Sequence, residues 1–204
     1  MKVLFAHGFE GSPDGGKPTY MREELGWDVI APVMSEKGWN IEQQTSVLLE
    51  LIDAKEFDLV AGSSMGGLAA ANASQLRPDA KFGLLLIAPA FGLEEMWNDR
   101  LSADEMNQWE ASNAYQYRGF ELKMTLGWNF MQTAKQMSWP KLNHPTTILH
   151  GTQDDVVPIE YSRIISEREA NVIAMMELDD GHRMQQSKTH FARAAEICLN
   201  SQTR

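Results

Sequence analysis

The stretch Phe57-Asp58-Leu59-Val60-Ala61-Gly62-Ser63-Ser64-Met65-Gly66-Gly67-Leu68-Ala69-Ala70-Ala71 decides how the rest of the chain is read. An apolar run ends in a glycine-serine turn, and a run of small helix-forming residues follows at once. A serine held at a sharp strand-to-helix turn adopts a strained backbone, so the positions two before and two after it must be nearly free of side chain. Gly62 and Gly66 meet that demand around Ser64. Gly67 and the alanines beyond it let the helix pack close to the strand. That leaves the Ser64 hydroxyl exposed above the sheet, near the positive end of the helix. Ser63 would need glycines at 61 and 65, where Ala61 and Met65 stand, and is assigned a backbone role. G-x-S-x-G alone is a weak pattern that a structural turn also produces; the strand before it and the small-residue helix after it point to a nucleophile.

Working outward, short apolar runs recur at Val3 to Ala6, Val29 to Ala31, Phe57 to Ala61, Phe82 to Ala88, Thr147 to His150 and Val172 to Leu178. They lack polar alternation, which fits parallel strands covered on both faces. Helical patterns lie between them. Ile41, Thr45, Leu48 and Ile52 form a stripe preceded by Asn40 as a possible N-cap. Pro158 suits the first turn of a helix carrying Tyr161, Ile164 and Ile165, and Phe191, Ala194, Ala195 and Cys198 line the last one. The fold class expected is α/β: three layers, with a mostly parallel sheet of about six strands and helices on both faces. Residues 1–204 read as one domain. Residues 91–142 show no clear strand, carry Trp97, Trp109, Trp128 and Trp139 with five methionines, and read as a small helical cap insertion within it. Such residues at helical spacing also serve as plain core. Trp97 and Trp128, with Phe9, are the candidate substrate-binding residues of a shaping cap.

Ligands of such sheets bind at the carboxyl ends of the strands, so reactive groups are sought just after them. A serine hydroxyl needs an imidazole to take its proton, and the imidazole needs a carboxylate to fix its tautomer. With a serine on a strand-turn-helix elbow the partners follow in the order Ser, Asp or Glu, His. His182, in Asp179-Asp180-Gly181-His182 after the last strand, is therefore the base, while His190 sits in the final helical pattern. His144 and His150 precede the acid. The run Gly151-Thr152-Gln153-Asp154-Asp155-Val156-Val157-Pro158 offers two aspartates. Asp154 is the choice, with Asp155 free to cap the following helix. The oxyanion hole is expected from the backbone amides of Met65 and Phe9, with Glu10 as the alternative to Phe9.

The charge of -10 and a pI near 4.9 argue against nucleic acid as a partner, because that role needs a basic footprint. They disfavour anionic membrane surfaces as well. The N-terminal apolar run is too short for a signal peptide or a membrane span, which makes the cytoplasm the default location. Cys198, the single cysteine, falls at an apolar helical position and reads as buried. No metal or cofactor is expected, and a monomer or small homo-oligomer is.

With His7-Gly8-Phe9 through Pro13, Gly62 through Gly67, His150-Gly151-x-x-Asp154-x-Val156-x-Pro158 and Gly181-His182 in place, nearly the whole chain resembles an α/β-hydrolase. It is similar to the YqiA-like group of small bacterial esterases. The resemblance implies carboxylesterase activity on a small-molecule ester substrate and supports Asp154 over Asp155. Relative to larger members, the chain begins at the strand bearing the oxyanion loop. Thioester or amide hydrolysis with the same residues, or a non-catalytic binding protein on the same fold, are the alternatives.

Overall fold

In the computed structural model, which describes residues 1–120 and 122–201, the chain forms a central sheet of six parallel strands. These are β1 (Lys2–Ala6), β2 (Asp28–Ile30), β3 (Leu59–Ser63), β4 (Gly83–Ile87), β7 (Thr146–Gly151) and β8 (Val172–Leu178). Their order across the sheet is β2-β1-β3-β4-β7-β8. The helices are α1 (Gly16–Glu23), α2 (Ile41–Ala54), α3 (Met65–Leu76), α7 (Ile159–Arg168) and α8 (Phe191–Asn200), with α4 to α6 in the segment between β4 and β7.

Two-residue periodicity sends alternate side chains to two cores. Leu4, Ala6, Val60, Leu84 and Leu86 face the core built with α2, α3 and α7. Val3, Phe5, Leu59, Ala61, Leu85 and Ile87 face the one built with α1 and α8. Both sides of the sheet are covered, which is why the strands read as unbroken apolar runs. At roughly 1.5–3 kcal/mol for each large apolar side chain removed from water, these two layers supply the main favourable term in folding. Helix α2 starts as expected: the Asn40 side chain accepts from the Gln43 amide, and the Gln43 side chain accepts from the Asn40 amide.

The chain leaves β1 to one side for β2 and returns on the other for β3. A sheet that reverses its winding in this way opens a crevice outside the carboxyl ends of β1 and β3. The loops that follow β1, β3, β7 and β8 all open at that edge.

Several local expectations change. Strand β3 starts at Leu59, two residues later than expected, because Asp58 turns out to accept a hydrogen bond from the Lys2 amide at 2.7 Å. Ile164 is 46% exposed; the buried stripe of α7 is Ile159, Ser162 and Ile165. Asp155 does not cap α7, whose N-cap position is Pro158 with no side-chain acceptor.

The segment 91–142 holds three helices, α4 (Leu93–Arg100), α5 (Ala103–Ser112) and α6 (Asn129–Met137). It also holds two strands the apolar pattern did not disclose. β5 (Tyr115–Arg118) and β6 (Lys123–Leu126) pair antiparallel as a hairpin. Trp97, Trp109 and Phe130 pack as one aromatic cluster continuous with the sheet's core, with ring centroids 5.1–6.0 Å apart. The Trp109 indole N–H is satisfied by the Leu126 carbonyl at 2.9 Å, which ties the hairpin to α5.

Candidate active site

Ser64 stands between the last residue of β3 and the first of α3 with φ 55° and ψ -125°, a region that non-glycine residues rarely occupy. Two backbone bonds hold it there. Its N–H donates to the Ile87 carbonyl and its carbonyl accepts from the Ala90 N–H, each at 3.0 Å. A Cβ at position 62 would lie 2.3 Å from the Gly66 carbonyl oxygen, and one at 66 would lie 2.3 Å from that of Ala6. The turn therefore closes only with glycine on both sides of the serine.

His182, on the loop after β8, reaches Ser64 with Nε2 at 3.0 Å from Oγ. Its Nδ1 is 2.8 Å from Asp154 Oδ2. A carboxylate only accepts, so Nδ1 carries the proton and the Nε2 of a neutral ring is left to accept from the serine hydroxyl. Asp154 is held on its other oxygen, where Oδ1 accepts from the amides of Val156 at 2.9 Å and Val157 at 2.8 Å. Its side chain is fully buried. Burial alone would raise this carboxyl, but hydrogen bonds from His150 and His182 and from the Val157 amide outweigh it and hold the group well below the usual carboxylate range. Asp155 is exposed and lines the neighbouring cavity, while Ser63 is buried in β3 and His190 is exposed.

The loop after β1 is positioned by His7. The His7 Nε2 accepts from the Met34 amide at 3.2 Å, so its Nδ1 carries the proton and donates to the Gly8 carbonyl at 2.8 Å. Gly11 N–H donates to that same carbonyl at 2.9 Å. A trans peptide points its N–H opposite to its C=O, so anchoring the Gly8 oxygen aims the Phe9 amide the other way. The loop lies against the serine, since a Cβ added at Gly8 would be 3.2 Å from Ser64 Cβ. Phe9 is fixed by edge contacts with Tyr117, Trp39 and Phe130 at 5.1–5.9 Å.

Ser64, Phe9 and Met65 open onto one cavity of about 580 Å³. Leu93, Met96, Trp97, Tyr117 and Phe130 from the 91–142 segment give it an apolar wall, and Asp99, Arg100 and Asp155 provide charge. Trp97 is thus where the sequence reading put it. Trp128 is not among the lining residues: it packs edge-on against Trp109 at 5.5 Å, one layer behind the wall.

Sequence reasoning missed three contributors. Tyr117, on the hairpin, donates its hydroxyl to Glu10 at 2.6 Å, and the Phe120 amide donates to the other Glu10 oxygen at 3.2 Å. Burial and then this acceptor push the Tyr117 phenol up. Glu10 is thereby the anchor of the hairpin to the oxyanion loop. Lys17, on α1, has its ammonium pulled down to about 8 by burial, against the opposing pull of Asp180. The third is His150, whose Nε2 lies 3.1 Å from Asp154 Oδ2. Among the described residues, no group of three or more His, Cys, Asp or Glu could hold a metal ion, and no helix is long and apolar enough to cross a membrane.

Comparison with known proteins adds family and fold. The model of an uncharacterised protein family, UPF0227, matches residues 2–198. A search of curated protein sequences gives no match. Among solved structures, the chain is similar to Est1E from Butyrivibrio proteoclasticus with ferulic acid bound, at 20% identity and a TM-score of 0.77, covering 99% of this chain and 89% of that one. It is similar to alpha/beta hydrolase domain-containing protein 10 from mouse, at 20% identity and a TM-score of 0.73, covering 99% and 88%. The monoacylglycerol lipase of Paleococcus ferrophilus matches at 19% identity and a TM-score of 0.71, covering 98% and 94%. The fold is that of the α/β-hydrolases.

Proposed function

The chain belongs to the UPF0227 family, and from the geometry of its site we propose that it is a serine hydrolase cleaving small carboxylic esters through an acyl-enzyme intermediate. The observation that carries this reading is the unbroken row from Ser64 Oγ through the His182 ring to Asp154, at 3.0 and 2.8 Å, beside the two amides of Phe9 and Met65.

In the proposed reaction, Ser64 Oγ attacks the ester carbonyl carbon while His182 Nε2 takes its proton. Asp154 stabilises the imidazolium that forms without itself becoming protonated. The carbonyl oxygen gains the negative charge and is met by the Phe9 and Met65 N–H groups, donors that need no reorganisation when the charge appears. Collapse breaks the bond to the alcohol oxygen, which leaves with the proton from Nε2. A water then attacks the acyl-enzyme, giving its proton to Nε2, and the acid departs as Ser64 recovers its hydrogen. The cavity wall of Leu93, Met96, Trp97 and Phe130 suits an apolar substrate portion. A monoacylglycerol lipase and a metagenome-derived lipolytic enzyme among the similar structures support an ester over other acyl bonds.

The test is labelling by a fluorophosphonate probe together with turnover of p-nitrophenyl esters. Wild-type protein is expected to be labelled at Ser64 and to turn over, and Ser64→Ala is expected to do neither. Folded wild-type protein that resists the probe refutes the proposal and favours a binding role. Paired oxygen and sulfur esters then rank the leaving groups.

A further inference from the structure

We infer that His150 is a positioning residue of this site: its ring, backed by Ser162, holds the Asp154 carboxylate in the orientation that serves His182. The inference rests on the hydrolase reading above and adds two residues to it.

His150 sits one residue before the end of β7, and its side chain is fully buried, as is that of Asp154. Its Nε2 lies 3.1 Å from Asp154 Oδ2 and 3.1 Å from the Val157 carbonyl oxygen. Both partners can only accept, so Nε2 carries a proton. Nδ1 is 2.8 Å from the Oγ of Ser162, on the buried face of α7. In a neutral ring Nδ1 has no proton, so the Ser162 hydroxyl donates to it. Every polar atom of this buried side chain thus has a defined partner.

The consequence falls on Asp154. Its Oδ2 accepts from His182 and lies 3.1 Å from His150 Nε2, whose N–H is shared with the Val157 carbonyl, and its Oδ1 accepts from the amides of Val156 and Val157. Three hydrogen bonds and the shared His150 N–H hold the carboxylate on both oxygens, which sets its orientation toward His182. The two imidazoles also share one oxygen. Each donor draws on the same negative charge, so the bond from His150 moderates how strongly Asp154 favours a protonated His182. An apolar ring of equal size would fill the space after β7, but would neither donate nor share. The charged groups nearby are Glu177 on β8, which acts on His150, and Lys17 on α1, which acts on Asp154.

The test compares His150→Phe, His150→Gln and Ser162→Ala, with the wild type and Ser64→Ala as references. A charge-assisted hydrogen bond to a buried carboxylate sets the expected loss at about tenfold to a hundredfold in kcat for His150→Phe, with KM little changed. The acid limb of kcat/KM moves to higher pH, because an unshared Asp154 makes the His182 ring more basic. A glutamine amide can replace the Nε2–H donor, so His150→Gln recovers most of both. Ser162→Ala moves both in the His150→Phe direction by less. Packing alone would not displace the acid limb. His150→Phe that melts and turns over like wild type with an unmoved acid limb overturns the inference, as does a loss confined to KM. Should His150→Phe fail to fold, Ser162→Ala decides, and an unmoved limb there overturns it. NMR titration of the His182 ring needs no turnover and is expected to move the same way; a static titration counts against the inference on its own. Wild-type protein that escapes the fluorophosphonate overturns the hydrolase reading instead, while the NMR titration still decides the role of His150.

Discussion

Replacing Ser64 with glycine is expected to leave a more stable fold than replacing it with alanine, while both changes abolish the proposed chemistry. At φ 55° and ψ -125° the serine sits where a Cβ is penalised. Such positions cost about 1–3 kcal/mol for a non-glycine residue. Glycine removes that cost but adds about 0.5–1 kcal/mol of unfolded-state freedom. The net gain over alanine is then about 0.5–2 kcal/mol. Both variants lose the 3.0 Å bond between Oγ and His182, so that contribution cancels between them. For a chain of this length, 1 kcal/mol moves the midpoint of thermal unfolding by about 2–4 °C, so Ser64→Gly is expected to melt about 1–8 °C above Ser64→Ala. Circular dichroism melts and guanidinium titrations on the two proteins read this directly. Equal melting temperatures, or a lower one for the glycine variant, would refute the claim that strain is stored at the elbow.

Asp154→Asn is expected to lower kcat by about 10,000-fold, because Asn keeps its oxygen on the Val156 and Val157 amides and turns an NH2 toward His182, reversing the tautomer that faces Ser64. Asp155→Asn is expected to stay within a few-fold of wild type on the same p-nitrophenyl ester, since this exposed side chain holds neither histidine. Trp97→Ala opens the cavity wall and is expected to raise KM for bulky apolar esters, whereas Trp128→Ala lowers the melting temperature and leaves KM alone. Cys198 is fully buried, and burial pushes its thiol up to about 11. Native protein at pH 8 is expected to ignore a disulfide reagent such as DTNB that reacts after denaturation. Because the folded value lies above the unfolded one, the stabilisation from the neutral thiol is complete below about pH 8.5 and fades as pH climbs toward 11.

What could be read from residues alone follows from how much of the chain obeys one dominant force. The inner strands of the central sheet are covered on both faces, so burial writes them as apolar runs, and the edge strand Val172–Leu178, only half-buried, still kept its bounds. The hairpin was hidden for the opposite reason. Tyr115, Gln116, Tyr117 and Arg118 do alternate between half-buried and exposed, but four residues are too short for the period to stand out beside the tryptophans and methionines around them. Helix α1 was equally quiet: only Pro18 and Met21 are buried, so its apolar face is two residues wide. Trp128 looked like a wall residue because composition cannot distinguish a side chain that lines a cavity from one that supports it.

At the site, the chain-order rule picks out histidines after the acid, which is a rule about the base. It is silent about who else holds the acid, and it set His150 aside for preceding Asp154 in sequence. Yet the order is what makes the arrangement possible. His150 lies at the carboxyl end of β7, four residues before Asp154, so a single loop delivers the carboxylate and the ring that holds it, and Pro158 starts α7 in time to place Ser162 behind that ring. Ser64 and His182 must be brought from strands far apart in the chain, and their 3.0 Å contact depends on the whole sheet. The acid's own support is local and would survive small shifts of β3 against β8. The site therefore separates two tolerances: the acid is set by thirteen consecutive residues from His150 to Ser162, while the distance between nucleophile and base is set by the sheet. Core substitutions in Leu85 or Ile87 should thus disturb the Ser64–His182 contact before they disturb Asp154.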